Sequence, residues 1–285
     1  MKKLWLTLVL ILLIAPAARA ELPLGGEAPY APVQSAFSND FYDYDDGTLS
    51  VHIEKDRVGF TNVYYAYIRL TDVSQFRTAL ADTPYSKAVR PVWSMARQNN
   101  AVFAMNGDYF SYQHTGIVVR SGEIIRESPV TSRDTLIING DGDFVMLTKN
   151  TRREWEEYRD SGAQIREAFT FGPALITGGE AISFNYREKI SCGYPTPAQR
   201  TVLCQTGPLE YMVFACEGPE QNKSAGLSLK EVVPLLLEKG VKEAYNLDGG
   251  SSTTLMMGET RINAPKSKFR NVSDIIYFAT LCPGE

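Results

Sequence analysis

Histidine is nearly missing from this chain: His52 and His114 are the only two in 285 residues. The four cysteines, Cys192, Cys204, Cys216 and Cys282, include no CxxC pair, so the ligands of a zinc cluster are lacking. No G-x-S-x-G is present, which leaves Ser251 without a nucleophile elbow. His114 has the chemistry of a general base, but nothing supplies the rest of a triad. Neither G-x-x-x-x-G-K-[ST] nor H-E-x-x-H occurs. Positive charge is not in excess: 29 Lys and Arg stand against 33 Asp and Glu, a net −4, which removes the footprint of a general nucleic-acid binder. With 22 Gly and 15 Pro the chain is neither collagen-like nor of low complexity. What remains is an ordinary globular composition, 44% hydrophobic and 22% charged, long enough for a full-sized core.

Long apolar runs are also missing, with one exception at the N-terminus. Lys2 and Lys3 precede an apolar run from Leu4 to Ile14, followed by Pro16 and Ala18-Arg19-Ala20. A basic start, a short apolar stretch and small residues before the cut form an export signal over residues 1–20. The run is shorter than the roughly 20 residues that span hydrocarbon. No Cys follows Ala20, so lipoprotein attachment is not indicated. The expected product is a moderately acidic exported protein, secreted or periplasmic. In that oxidising setting four cysteines permit three pairings, or none, and spacing does not choose.

Residues 21–50 carry Pro, Gly, Ser and the acidic aromatic run Asp40-Phe41-Tyr42-Asp43-Tyr44-Asp45-Asp46, and read as a linker. Beyond it, residues 51–285 read as a single main domain. Val58 to Leu70 is β-branched and aromatic, as a strand requires. Lys87 to Gln98 has helical spacing; Ala101 to Met105 is a short buried strand. Ile117–Val119, Ile124–Ile125, Leu136–Ile138 and Phe144–Leu147 read as strands, with a turn at Asn139-Gly140-Asp141-Gly142-Asp143. Thr151 with Glu154, and Ser228 with Glu231, are capping boxes for helices stopped at Gly162 and Gly240. Lys242 to Leu247 is a further strand. The expected fold is α+β: a mixed, largely antiparallel sheet core with a few packed helices.

Two segments share one pattern, an apolar strand that ends in Asn, an acid and glycines. They are Ala104-Met105-Asn106-Gly107-Asp108-Tyr109-Phe110 and Tyr245-Asn246-Leu247-Asp248-Gly249-Gly250-Ser251-Ser252-Thr253. A strand end fixes the acid, and glycines let backbone N–H groups approach an anion. Each could equally be a tight turn in which Asp satisfies local N–H groups. Positive charge gathers at Arg261, Lys266, Lys268 and Arg270, and Arg200 opens a strand. Guanidinium groups grip phosphate or carboxylate in bidentate fashion, which favours Arg200 and Arg270 over the lysines.

The ordered set AMNGDYF, FGPALITGGE, QRTVL, GLSLKEVVPLLLEKGVKEAYNLDGGSSTTLMM and APKSKFRNVSD resembles the phosphodiester glycosidase family. The resemblance runs over roughly residues 95–280. It implies cleavage of a sugar-1-phosphodiester to free sugar and a phosphomonoester. Two departures stand out. The family's NLDGGGS has one more glycine than Asp248-Gly249-Gly250-Ser251, and its RTAIG strand has Gly where this chain has Cys204.

On that resemblance Asp248 is the expected nucleophile or general base, with Asp108 competing for the role. Gly249, Gly250, Ser251 and Ser252 offer N–H and hydroxyl donors, and Arg200 clamps the phosphate with Arg270 beside it. Asn106 and Asn246 bond sugar hydroxyls or orient the acids. A phosphomonoester leaves far more easily than an alkoxide, so fixed donors on the phosphate matter more than a strong acid. No cofactor is required, although a divalent cation suits carboxylates beside a phosphate. The expected partner is a sugar-1-phosphodiester or an anionic glycopolymer, with no nucleic acid and no membrane span after processing. Two other readings use the same cleft: a non-catalytic binder of anionic extracellular polysaccharide, and a metal-dependent phosphodiesterase that cuts P–O.

Overall fold

The fold was described from a computed structural model, which covers residues 28–183, 195–219, 223–263 and 270–283. The expected signal sequence, Cys192, Lys266 and Lys268 lie outside the described residues. The chain opens with strands β1 (Asp43–Asp45), β2 (Leu49–Val58), β3 (Thr61–Leu70) and β4 (Phe76–Leu80), then helix α1 (Val92–Gln98). Next come β5 (Phe103–Asn106), β6 (Gly116–Arg120), β7 (Glu123–Ser128), β8 (Thr135–Asn139) and β9 (Phe144–Leu147). Helix α2 (Arg152–Arg159) leads to β10 (Ile165–Phe169), β11 (Ala174–Thr177), β12 (Glu180–Ala181), β13 (Arg200–Gly207) and β14 (Glu210–Cys216). Helix α3 (Leu229–Glu238), β15 (Glu243–Asn246), β16 (Leu255–Met257), β17 (Thr260–Arg261) and β18 (Asp274–Phe278) complete it.

These strands form three sheets, in the orders β1-β2-β3-β14-β13-β15-β11-β12, β7-β6-β10-β8-β9 and β17-β16-β5-β18-β4. Among the described residues every ladder between these strands is antiparallel, so the expected mixed sheet is corrected to an antiparallel one. Strand dominates, and the described residues contain three α-helices. One apolar core joins all three sheets: Tyr64, Leu203 and Tyr245 from the first, Leu136 and Phe169 from the second, Phe103, Met105 and Phe278 from the third. Burying side chains of this size contributes roughly 1.5–3 kcal/mol apiece. A second core lies under α3 and a third under α1, while Trp155 of α2 fills a fourth beneath the β6–β10 sheet.

Thr151 and Ser228 are both N-caps, and the full capping box forms at Ser228. The Thr151 hydroxyl accepts from the Glu154 N–H at 3.1 Å. At Ser228 the box is reciprocal, with the Glu231 side chain returning to the Ser228 N–H at 2.8 Å. Pro234 sits inside α3 on its exposed side, as does Lys230, whose carbonyl loses its helical partner to proline. Water there can replace the lost bond. Helix α1 starts at Val92, later than its spacing suggested, because Pro91 serves as N-cap in extended conformation.

The linker reading of residues 28–50 differs from the structure. Phe37, Phe41 and Tyr44 pack into the central core, and Tyr44 is 1% exposed. Asp43–Asp45 pairs with β2 as an edge strand, its aspartates outward and its tyrosine inward. Alternation, not solvation, explains the acidic aromatic run. Cys204, Cys216 and Cys282 are free thiols, the first two buried against the core under α3. Burial pushes the Cys216 thiol up to about 12, so it is unreactive at neutral pH.

Candidate active site

Strand β5 belongs to one sheet and β15 to another, and both end at the same side of the molecule. Their C-terminal asparagines begin the two motif loops. Asn106 is fully buried; its amide nitrogen donates to the Asp248 carbonyl at 2.7 Å, and its oxygen accepts from Thr201 Oγ1 and the Thr254 N–H, each at 3.3 Å. Thr201 Oγ1 also lies 3.1 Å from Thr253 Oγ1. A single side chain thus ties the β5 loop, the β13 strand and the Asp248 loop together. Asn246, also buried, donates to the Gly172 carbonyl at 2.8 Å, while its own oxygen has no hydrogen-bond partner among the described residues. Such atoms are costly to bury unless they serve a ligand or a mechanism.

The glycines are fixed by contact. A Cβ on Gly249 would lie 2.6 Å from the Gln199 carbonyl oxygen, and one on Gly107 would lie 2.2 Å from Asp274 Oδ1. Gly250 has φ of +60° and donates its N–H to the same Gln199 carbonyl at 3.0 Å. The loop runs on as a 3-10 turn through Gly250–Ser252, and the Arg270 N–H bonds the Ser251 carbonyl at 3.1 Å.

The two acids have different surroundings. Asp108 is fully buried. Its Oδ1 accepts from Arg120 Nη2 at 2.8 Å and the Phe110 N–H at 3.2 Å, and its Oδ2 from the Thr170 N–H at 3.2 Å. The Arg120 guanidinium also reaches Asp274 Oδ2 at 2.7 Å and lies over the Phe169 ring, 4.1 Å from its centroid. Burial, with help from Asp108, pushes the Asp274 carboxyl up to about 7. Asp248 is instead partly exposed. Burial raises its carboxyl above the ordinary range and the charge of Asp108 adds to this, while the Ser252 hydroxyl, Arg270 and the Gly249 amide pull it back.

Of the ten residues singled out from the sequence, nine gather here: Asn106, Asp108, Asn246, Asp248, Gly249, Gly250, Ser251, Ser252 and Arg270. Arg200 does not share their setting. It is 4% exposed, and its guanidinium donates to the carbonyls of Leu227, at 3.0 Å, and Thr196. Strand alternation turns it to the α3 side, opposite Thr201. The expected phosphate clamp therefore braces main chain at the α3 entry. Asp108, with both oxygens occupied, stands behind the site rather than in it.

Arg120, Thr201 and Asp274 are the residues that sequence reasoning passed over. Thr201 and Asp274 fall inside the QRTVL and APKSKFRNVSD blocks, which was the available signal. Arg120 ends an ordinary strand and had none. Among the described residues no three His, Cys, Asp or Glu side chains converge as a metal site needs, and Arg120 already neutralises Asp108. No helix among them is long and apolar enough to cross a membrane.

The sequence pattern of phosphodiester glycosidases (NAGPA) matches residues 99–279, and the chain belongs to that family. Its fold is similar to the catalytic domain of zebrafish N-acetylglucosamine-1-phosphodiester alpha-N-acetylglucosaminidase, auto-inhibited by its pro-peptide. That likeness has a TM-score of 0.67 at 19% identity, over 88% of this chain and 87% of that one. A hypothetical protein from Synechocystis is similar at TM-score 0.58 and 14% identity, over 81% of this chain and 62% of that one. A putative exported protein from Burkholderia pseudomallei follows at 0.53 and 11%, over 77% and 74%. A search of curated protein sequences gave no match.

Proposed function

We propose that this protein is an exported glycosidase that hydrolyses a sugar-1-phosphodiester to free sugar and a phosphomonoester. The observation that carries the reading is the placement of Asp248: a partly exposed carboxyl with raised proton affinity, beside Arg270 and the buried Ser252 hydroxyl. In this reading Asp248 is the base that takes a proton from water as it attacks the anomeric carbon. The bond from anomeric carbon to phosphate oxygen breaks, and the phosphomonoester leaves with the bonding pair. Arg270 and the Gly250–Ser252 donors hold the phosphate as its charge grows. Buried Asp108, held by Arg120 and by the Phe110 and Thr170 N–H groups, fixes the loop behind the sugar. Asn246 offers its free oxygen to a sugar hydroxyl. The relative's substrate suggests N-acetylglucosamine as the first sugar to try.

The test is incubation of the purified protein with the methyl diester of N-acetylglucosamine 1-phosphate and with the glucose and galactose counterparts, products being identified by mass spectrometry. Free sugar with methyl phosphate supports the reading. Sugar phosphate with methanol would mean P–O cleavage, and saturable binding without turnover would mean a polysaccharide binder. Export is checked by N-terminal sequencing of the mature protein, which should begin at Glu21.

A further inference from the structure

The loop that leaves Asp108 carries a feature the proposed chemistry does not use. Tyr109 and Tyr112 stack face to face, with ring centroids 4.8 Å apart and an interplanar angle of 8°. Tyr112 is 45% exposed, and Tyr109 is held at φ of +67°, an uncommon conformation for a bulky residue. Two guanidinium groups converge on the same loop. Arg126 donates to the carbonyls of Phe110, at 3.1 Å, and Thr115, at 3.2 Å. Arg133 donates to Gln113 Oε1 at 2.6 Å, and Gln113 in turn donates to the Asp108 carbonyl at 3.3 Å. Neither arginine has a carboxylate partner among the described residues, although the protein is acidic and many of its other arginines are paired. Both keep spare N–H donors, and Arg126 lies within the electrostatic reach of Asp108.

We propose that Tyr109, Tyr112, Arg126 and Arg133 form a second anion subsite on the loop that follows Asp108, selecting substrates that carry a further negative group besides the cleaved phosphodiester. This rests on the glycosidase reading. A diester at the cleavage point has one negative charge, and Arg270, whose N–H is bonded to the Asp248 loop at Ser251, suffices for it. Two additional unneutralised guanidinium groups beside an exposed aromatic face suit a sugar ring with its own anion. The substrate class is an anionic glycan with charged groups on successive units, in preference to a single capping sugar.

The experiment measures Kd by calorimetry and kcat/KM for four probes on the full protein. The first is the methyl diester of N-acetylglucosamine 1-phosphate. The second joins two such units through a second phosphodiester, and the third joins them through a neutral glycosidic bond. A fourth arm replaces the distal phosphate by a uronic acid, to separate phosphate from carboxylate recognition. The two-phosphate probe should bind about tenfold tighter than the neutral dimer, and the gap should narrow as salt rises from about 50 to about 500 mM. Arg133→Gln should close most of the gap, Arg133→Lys should keep part of it, and Tyr112→Ala should weaken both dimers while Tyr112→Phe does not. Equal binding of the charged and neutral dimers overturns the subsite, as does a gap that survives Arg133→Gln and Arg126→Gln. If a variant fails to fold, the salt dependence of the wild-type gap still decides. A gap in Kd with no hydrolysis of any probe would sink the glycosidase reading and leave the subsite standing; hydrolysis without a gap does the reverse.

Discussion

The Asn106 side-chain amide reaches across 142 positions of sequence to donate to the main-chain carbonyl of Asp248 at 2.7 Å. The bond joins the ends of two strands from different sheets, so it fixes the loop of one motif against the root of the other. Its acceptor is backbone, which makes the contact independent of the charge on the Asp248 carboxyl.

Replacing Asn106 removes this tie and leaves a buried carbonyl and a buried N–H unpartnered. Asn106→Ala should lower kcat at least tenfold and cost about 2–3 kcal/mol of stability. The measurement is steady-state kinetics beside urea unfolding. A variant with full activity and unchanged midpoint would show that the two loops hold their places without it.

Asp248→Asn should abolish turnover by several orders of magnitude while the fold survives, since its carboxyl is only partly buried. The pH profile follows from its raised proton affinity. As the base must be ionised, activity should fall on the acid side, with a midpoint above the usual aspartate value of about 4. Arg270→Gln removes a charge that favours ionisation and should move that limb to higher pH. A limb that stays in place would separate Arg270 from Asp248.

Glu167 is fully buried beside Arg120, accepting from Thr78 Oγ1 at 2.9 Å and the Ser121 N–H at 3.1 Å. Burial pushes its carboxyl up to about 7. The folded state therefore holds a proton that the unfolded chain has already released at intermediate pH. Its contribution to stability is fully present below about pH 4.5 and is lost as pH rises through 7. Glu167→Gln should thus compare better with the wild type at pH 8 than at pH 5 in thermal unfolding. An equal difference at both values would mean that Glu167 does not titrate in this range.

Local rules carried a large part of the fold. The caps at Thr151 and Ser228, the strand before Asn106 and the strand before Asp248 were all legible, because their signals lie within a few residues of one another. Strand β2 was not: its alternation lasts only from Leu49 to Ile53 and then gives way to the charged run Glu54-Lys55-Asp56-Arg57. In the acidic run before it, charge masks the inward Tyr44. At the site, both motif loops could be read, but the Arg120 bridge to Asp108 and Asp274 could not. Its partners lie 12 and 154 positions away, and no short pattern encodes a pairing of that kind. Arg200 misled for a related reason, since the first residue of a strand has two faces to choose from and the sequence marks neither.

The two motif loops spring from sheets that, beneath the Asn106 hydrogen bonds, rest on packed side chains such as Met105, Leu203 and Leu255. The gap between the aspartates is therefore governed by the thickness of an apolar layer well beneath them. Trimming a methyl group there would let one sheet slide on the other, and reactivity would be retuned with every polar residue of the cleft left as it is. Variation among relatives in rate or preference can accordingly arise in the interior, where no inspection of the cleft would find it.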